Sequence, residues 1–177
     1  LGQMDDRYKL DQTVEEYLEN ISGKTAELFA LSCSVGAFES GNSERFAKKA
    51  GMIGHNIGIA FQIMDDLLDY QADAATLGKP VLEDVRQGVY SLPLIYALNQ
   101  DNSQLRPYLE KQKQMTVEDT LQVQRLVQEL GGVDYAQQLA TEYTEQALKD
   151  IRKLPDNYFN TKEKLERLTS QILSRKS

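Results

Sequence analysis

The chain has 177 residues, of which 41% are hydrophobic, and a formal net charge of −7. This composition suits one globular domain with a buried core, and the negative charge argues against a nucleic-acid-binding protein. No uninterrupted apolar run reaches the length of a membrane span, and the first residues do not resemble a signal peptide. The one cysteine, Cys33, excludes a disulfide framework, so we expect a buried, inert thiol in a reducing cytoplasm.

The first part of the chain predicts an amphipathic helix. Residues 1–12 are polar and are expected to be the tail of a helix that begins further upstream. Thr13 and Glu16 have capping-box spacing, from which a helix is expected to run to about Gly36. The inward stripe of this helix is predicted to contain Tyr17, Ile21, Leu28, Leu31 and Val35. Because Lys24 falls within that stripe, its ammonium either pairs with an internal carboxylate, reaches the edge of the core or meets a bound phosphate.

A second, longer helix carries the most unusual side chains. After a turn at residues 40–43, in which Ser43 is the expected N-cap, the helix continues to about Tyr70. At helical periodicity, one polar seam contains His55, Gly58, Gln62, Asp65, Asp66 and Asp69. The other sides are covered by Ile63, Met64, Leu67 and Leu68. We therefore expect a mostly buried helix with one polar edge that ends in three carboxylates.

The spacing of these carboxylates predicts a cation site. Asp65 and Asp66 lie four and three residues before Asp69, so the three side chains meet on one helix face. Like charges beside apolar surface are costly to bury without a cation. Oxygen ligands without nearby sulfur favour a hard ion such as Mg²⁺. The alternative is a solvated acidic face, which the flanking apolar residues disfavour.

Small residues and one histidine accompany the polar seam. Gly51, Gly54 and Gly58 recur at spacings of three and four, which indicates either close helix packing or room for a ligand. His55 is the only histidine, so it forms neither a histidine metal cluster nor a catalytic triad. We expect a structural role for it.

The segment after the acidic helix, residues 71–90, has no helical periodicity, and Pro80 forbids a helix through its middle. Lys79, Asp84 and Arg86 cluster in this loop. They are either ordinary loop charges or cations and a fourth carboxylate for the same site.

The remainder predicts more helices, so the fold class is all-α. These helices are expected at residues 91–99, 103–112, 116–130, 133–154 and 161–174. Ser91 and Thr116, the latter with Asp119, are the predicted caps. Arg175 and Lys176 either suit the dipole of the last helix or form a basic lid over phosphate.

These motifs, in their order, resemble the C-terminal half of a trans-prenyl diphosphate synthase, most of all the bacterial hexaprenyl and heptaprenyl type. The resemblance rests on Gly23-Lys24-Thr25-Ala26, Ala60-Phe61-Gln62, Asp65-Asp66 with Asp69, Leu77-Gly78-Lys79-Pro80, Asp84 and Leu92-Pro93. It covers nearly the whole chain, and the combination is highly specific. It implies that residues 1–177 are the C-terminal part of one isoprenoid synthase domain, an all-α bundle of long antiparallel helices around a deep cavity.

The resemblance also implies site roles. It implies that Asp65, Asp66 and Asp69 form the second aspartate-rich motif of the family, which holds Mg²⁺ on an allylic diphosphate. It also implies that Asp84 is an outer carboxylate that acts on the same ion through water. The lysines that grip the allylic diphosphate are implied to be Lys24 and Lys79. The groups beside the reacting carbons are implied to be Thr25, Gln62 and Phe61. Val89 stands where many relatives carry Lys or Asn, so one diphosphate contact is expected to be absent.

The implied activity is condensation of isopentenyl diphosphate with an allylic diphosphate to a medium- or long-chain polyprenyl diphosphate. The first aspartate-rich motif and the isopentenyl diphosphate site belong to the other half of the family's sequence. Since this chain begins with Leu1 and not with Met, we expect it to be a fragment. Because it carries only half of the implied active site, we expect it to be inactive alone. The family implies a homodimer, in some members with a second, different subunit.

Three other classes of protein explain these residues less well. A non-catalytic helical partner or regulatory subunit is disfavoured, because it has no reason to retain Lys24, Lys79 and three aspartates. A class I terpene cyclase usually carries an Asn/Ser/Glu metal motif where this chain has aspartates. A purely structural bundle explains none of these charges.

Overall fold

The computed structural model describes residues 7–39, 43–71, 82–154 and 159–173. Within these ranges the regular structure is helical and contains no strand, which confirms the all-α prediction. None of the helices described there is long and apolar enough to cross a membrane. The predicted loop around Lys79 and Pro80, and the terminal Arg175 and Lys176, lie outside the described residues.

In the described part of the first half, the chain forms three α-helices and one π-helical turn. They are α1 (Val14–Ile21), a π-helical turn (Ser22–Ala26), α2 (Glu27–Glu39) and α3 (Glu44–Gln71). The second half contains α4 (Glu83–Arg86), α5 (Leu92–Gln100), α6 (Arg106–Leu109), a 3₁₀ turn (Gln112–Gln114), α7 (Val117–Glu129), α8 (Gly132–Arg152) and α9 (Phe159–Leu173). The sequence placed α3, α5, α7 and α8 within two residues of these bounds, whereas the helix expected at 103–112 is shorter.

The chain divides into two compact units. One unit comprises Leu1–Asn20 and Asp65–Gln137, and the other comprises Ile21–Met64 and Gln138–Ser177. Both α3 and α8 contribute residues to each unit. The three aspartates of α3 therefore belong to the first unit, and Gln62 belongs to the second.

The prediction of one regular helix from Thr13 to Gly36 is wrong at its centre, where the π-helical turn lies. A π turn accommodates an extra residue, so every side chain beyond it is rotated by about 100° from the extrapolated position. Leu28 and Leu31, which were expected to face inward, are accordingly 67% and 61% exposed. The stripe holds only for its first members, with Tyr17 buried.

The polar residues before α1 form turns rather than the expected end of a helix. The Tyr8 amide donates to the Gly88 carbonyl at 3.0 Å, and its hydroxyl donates to the Arg86 carbonyl at 2.8 Å. These bonds hold the segment against the turn after α4. The helical expectation for this segment is therefore wrong for residues 7–12.

The predicted N-caps are confirmed at three helices. Side-chain oxygens accept backbone amides at Thr13 from Glu16 (3.1 Å) and at Ser43 from Phe46 (3.2 Å). Thr116 and Asp119 form a complete capping box at α7. Ser91 occupies the predicted cap position of α5, but its side chain makes no capping hydrogen bond, and Pro93 in the first turn starts this helix instead.

Candidate active site

The C-terminal part of α3 has the predicted division between apolar and polar faces. Ile63, Met64 and Leu67 are at most 5% exposed, so they anchor this end of the helix in the core. Asp65 and Asp69 are exposed, whereas Asp66 is half-buried. The apolar sides thus hold the helix in place while its acidic edge stays accessible.

Helix α7 supports the carboxyl end of α3. The side-chain amides of Gln124 and Gln128 donate to the carbonyls of Asp69 (3.3 Å) and Tyr70 (2.8 Å). The last carbonyls of a helix have no partner within the helix, so such donors fix its final turn. Sequence periodicity had placed both glutamines on α7 without indicating this contact.

Tyr17 of α1 contacts the acidic edge directly. Its hydroxyl donates a hydrogen bond to the Asp66 carboxylate, and the residue is 5% exposed. Burial, followed by the negative charges of Asp66 and Asp65, raises the pKa of the Tyr17 phenol well above its ordinary value. The phenol is therefore a hydrogen-bond donor at neutral pH. The sequence pattern predicts only a core position for Tyr17.

A small acidic cavity lies beside the end of α3. It has about 40 Å³ of space and is lined by residues that include Asp66, Asp69, Asp84 and Val89. Tyr70 and Ser91 also line it, and the buried Tyr70 hydroxyl has no hydrogen-bond partner among the residues that the structure describes. An unsatisfied buried hydroxyl next to carboxylates leaves a polar position for water or a hydrated cation.

The donor set of this cavity fits Mg²⁺ bound largely through water and phosphate. Among the residues that the structure describes, no three His, Cys, Asp or Glu side chains converge closely enough to hold a metal ion alone. Mg²⁺ commonly retains several waters and binds one or two carboxylates together with substrate phosphates. Asp66, Asp69 and Asp84 supply hard oxygen ligands of that kind around one space. The carboxylate oxygens around this cavity are therefore chemically compatible with Mg²⁺.

In the other unit, the π-helical turn meets the middle of α3. The Thr25 hydroxyl donates to the side-chain carbonyl oxygen of Gln62 at 3.1 Å. The adjacent Phe61 ring packs against Phe29, with 5.5 Å between ring centroids. The structure thus joins Thr25 to Gln62, both of which the resemblance implied for the site, and places the Phe61 ring in an aromatic contact.

A second polar contact holds the same turn. The Ser22 hydroxyl and His55 Nε2 are 2.7 Å apart. This contact gives His55 the structural role expected from the sequence, since it fixes the turn that carries Lys24 and Thr25. Short π segments recur at functional sites because they point side chains away from the regular helical register. Lys24 is exposed on this turn and forms no ion pair with the described carboxylates.

The glycines of α3 permit close packing against α2. A Cβ atom on Gly54 would lie 2.7 Å from Cys33 Sγ and from the Phe29 carbonyl oxygen. On Gly58 it would lie 2.9 Å from the Ala26 Cα. The packing interpretation is therefore correct at these two positions. Cys33 is a half-buried free thiol rather than a fully buried one, and burial raises its pKa, which disfavours the reactive thiolate.

Asp84 and Arg86, which were expected in a loop, lie in α4, and of these two only Asp84 lines the acidic cavity. Arg86 instead donates to the Glu83 carboxylate at 2.9 Å and to the Lys113 carbonyl at 3.0 Å. It therefore has the ordinary structural role that the sequence left open. Lys79 lies outside the described residues, so its assignment stays a prediction.

Known proteins that match this chain belong to the family that its motifs resemble. A model of the family described as polyprenyl synthetase matches residues 1–130. The chain is 36% identical over 174 residues to the all-trans-nonaprenyl-diphosphate synthase (geranyl-diphosphate specific) of Rhodobacter capsulatus, covering 98% of this chain and 53% of that protein. It is 32% identical over 160 residues to heptaprenyl diphosphate synthase component 2 of Bacillus subtilis, covering 88% and 44%.

Solved structures show the same relationship. The crystal structure of geranylgeranyl pyrophosphate synthase from Lactobacillus brevis, complexed with citrate, matches with a TM-score of 0.89 and 46% sequence identity. The match covers 98% of this chain and 55% of that one. The chain therefore spans about half the length of these relatives.

Proposed function

This chain belongs to the polyprenyl synthetase family, and on that premise we propose that it forms half of a trans-prenyltransferase active site. The proposed reaction joins isopentenyl diphosphate to an allylic diphosphate, with Mg²⁺ as cofactor. The allylic carbon–oxygen bond breaks, the isopentenyl double bond forms the new carbon–carbon bond, and the proton released goes to the departing diphosphate. The remainder of the reading frame would supply the isopentenyl diphosphate site and the first aspartate-rich motif.

The observation that carries this proposal is the acidic cavity at the end of α3. Asp66, Asp69 and Asp84 come from two separate segments, and all three line it. A solvated acidic face would not need carboxylates from the segment beyond α3 to border the same space. We assign these residues, together with Asp65, to holding Mg²⁺, which would neutralise charge on the leaving diphosphate.

Two lysines are assigned to the diphosphate itself. Lys24 is exposed on the π-helical turn and forms no ion pair with the described carboxylates, so its ammonium is available to an anionic ligand. Lys79 receives the same role by resemblance. A fixed cation near the leaving group stabilises charge that develops as the carbon–oxygen bond breaks.

The groups assigned to positioning are Thr25, Gln62 and Phe61. In the Thr25–Gln62 hydrogen bond the threonine is the donor, so the side-chain carbonyl of Gln62 is fixed in direction. The Phe61 ring, held by Phe29, adds an apolar wall that excludes water from a reactive carbocation. These residues therefore orient and shield the substrate, while charged groups act on the diphosphate.

The product class and partners are also part of the proposal. The relatives named nonaprenyl and heptaprenyl synthases favour a medium- or long-chain product, whereas the 46%-identical structure is named a geranylgeranyl pyrophosphate synthase. The Bacillus subtilis relative is named as component 2, which supports a second subunit as partner. We propose a homodimer or a two-component enzyme, with isopentenyl and allylic diphosphates as substrates and a cytoplasmic location.

The test is transfer of labelled isopentenyl diphosphate onto farnesyl diphosphate with Mg²⁺. The samples are the protein from the complete reading frame, its Asp65→Ala variant, an Asp134→Ala control on the exposed face of α8, and the 177-residue chain. We expect the complete protein and the control to transfer the isopentenyl group. We expect Asp65→Ala and the short chain to lose this activity. A folded complete protein without transfer, even with a candidate second subunit, would instead support a non-catalytic regulatory subunit.

A further inference from the structure

The contact between Tyr17 and Asp66 joins two distant parts of one compact unit. The residues are 49 positions apart in the sequence, and both belong to the unit formed by Leu1–Asn20 and Asp65–Gln137. The tyrosine hydroxyl donates to one oxygen of the half-buried carboxylate. The contact lies at the cavity, because Asp66 is one of the residues that line it.

Packing alone does not explain this tyrosine. The ring is 5% exposed, and phenylalanine would fill the same volume without burying a polar atom. A buried hydroxyl is favourable only when it is bonded, and a bond to a charged acceptor is roughly twice as strong as a neutral one. The hydroxyl is therefore best explained by its carboxylate partner.

We propose that Tyr17 is a positioning residue for the metal-binding edge of α3, acting through Asp66. Its hydrogen bond fixes the rotation of the Asp66 carboxylate and holds that carboxylate toward the acidic cavity. In metal sites, residues that orient a ligand in this way commonly change metal affinity or activity by 10- to 100-fold when mutated. The inference rests on the proposed function, because the cation is the one assigned there.

The primary test is Tyr17→Phe in the protein from the complete reading frame. Mn²⁺ binding is measured by EPR in the presence of inorganic diphosphate, without any prenyl substrate. We expect Tyr17→Phe to weaken Mn²⁺ binding about 10-fold or more. The Mg²⁺ concentration for half-maximal prenyl transfer should rise by a similar factor. Tyr143→Phe on α8, which removes the hydroxyl of a half-buried tyrosine in the other unit, should change neither value.

A double-mutant cycle separates positioning from general stability. Asp66→Asn alone should also weaken Mn²⁺ binding, and Tyr17→Phe added to Asp66→Asn should weaken it no further, since the two residues act through one contact. Thermal unfolding without metal establishes that each variant is folded. Because Asp66→Asn probes the same bond from its other side, the cycle does not depend on one variant.

The outcomes are distinct from those of the function test. Unchanged Mn²⁺ binding in folded Tyr17→Phe, or an equal further loss in the Asp66→Asn background, would overturn the role of Tyr17. Tyr17-dependent Mn²⁺ binding in a protein without prenyl transfer would refute the proposed activity and support the positioning role. A wild-type protein that binds no Mn²⁺ would overturn both proposals.

Discussion

The Thr25 hydroxyl donates a hydrogen bond to the side-chain carbonyl of Gln62 at 3.1 Å, although 37 positions separate the two residues in the sequence. Thr25 lies in the π-helical turn and Gln62 lies in α3. The bond therefore joins a locally irregular backbone to α3, the longest helix in the described part of the chain.

Thr25→Val tests whether this hydrogen bond contributes to catalysis. The substitution keeps the shape of the side chain but removes the hydroxyl that donates to Gln62, and a hydrogen bond of this kind contributes about 0.5–1.5 kcal/mol. If the pair positions substrate, kcat/KM for isopentenyl transfer should fall about 10-fold, which corresponds to about 1.4 kcal/mol. Steady-state kinetics of the complete protein give the value.

The matched control for Thr25→Val is Thr144→Val on α8. The Thr144 hydroxyl is buried and donates to the Ala140 carbonyl at 2.8 Å, so its loss also removes one hydrogen bond. We expect this control to lower stability and to leave kcat/KM near the wild-type value. Equal kinetic losses in the two variants would assign only a structural role to Thr25.

Lys24→Gln removes the cation of the π-helical turn. Since Lys24 is exposed and forms no ion pair with the described carboxylates, thermal stability should change little. In contrast, kcat/KM for the allylic diphosphate should fall about 100-fold, by loss of charge-assisted contacts to phosphate. Lys48→Gln, at an exposed position of α3, is the control for charge alone and should retain activity. Normal kinetics in Lys24→Gln would remove this lysine from the site.

Gly54→Ala tests the close approach of α2 and α3. The new methyl group would lie 2.7 Å from a backbone carbonyl oxygen, which cannot move without shifting α2. We expect a loss of about 1–3 kcal/mol in the free energy of unfolding, as for other overpacked sites. Urea denaturation of the complete protein measures this change.

Gly36→Ala is the matched control for Gly54→Ala. It lies in α2, and nothing comes within 4 Å of a Cβ atom added there. Alanine is a better helix former than glycine, so this variant should be more stable by about 0.5–1 kcal/mol. A Gly54→Ala protein as stable as Gly36→Ala would show that the two helices do not need their close contact.

The capping box of α7 predicts how the free energy of unfolding changes at acid pH. The Thr116 backbone amide at 2.9 Å, and then the Lys111 ammonium at 3.1 Å, hold the pKa of Asp119 below its ordinary value of 3.8. A lowered folded-state pKa stabilises the protein above the unfolded value, and this contribution is lost as the pH falls through the folded value. Asp119→Ala should therefore cost about 1 kcal/mol at pH 7, and its difference from wild type should shrink below about pH 4.

Urea denaturation at several pH values measures this dependence, with Glu118→Ala as the control. Glu118 is the exposed neighbour of Asp119, and its loss should change stability by less than about 0.5 kcal/mol. A difference between wild type and Asp119→Ala that is constant from pH 7 to pH 2.5 would contradict the proposed charge contribution.

The long helices and the polar seam of α3 were predictable, because both follow from local periodicity. Ser43 was identified as the cap of α3, and Ile63 and Leu67 as its buried face. Regular helical geometry places these residues without reference to distant parts of the chain. The same reasoning failed after Ser22, because a π turn leaves no reliable mark in hydrophobic spacing.

Local sequence patterns were enough to identify the all-α class, the family motifs and the residue types of the candidate site. The contacts between distant residues became visible only in the fold: Tyr17 with Asp66, Thr25 with Gln62, and Asp84 with the acidic end of α3. It also assigned Arg86 to a structural role through contacts with Glu83 and Lys113. The difference lies in how far apart in the sequence the interacting residues are. Helix formation and capping depend on residues within a few positions, whereas these contacts depend on how segments separated by many residues pack.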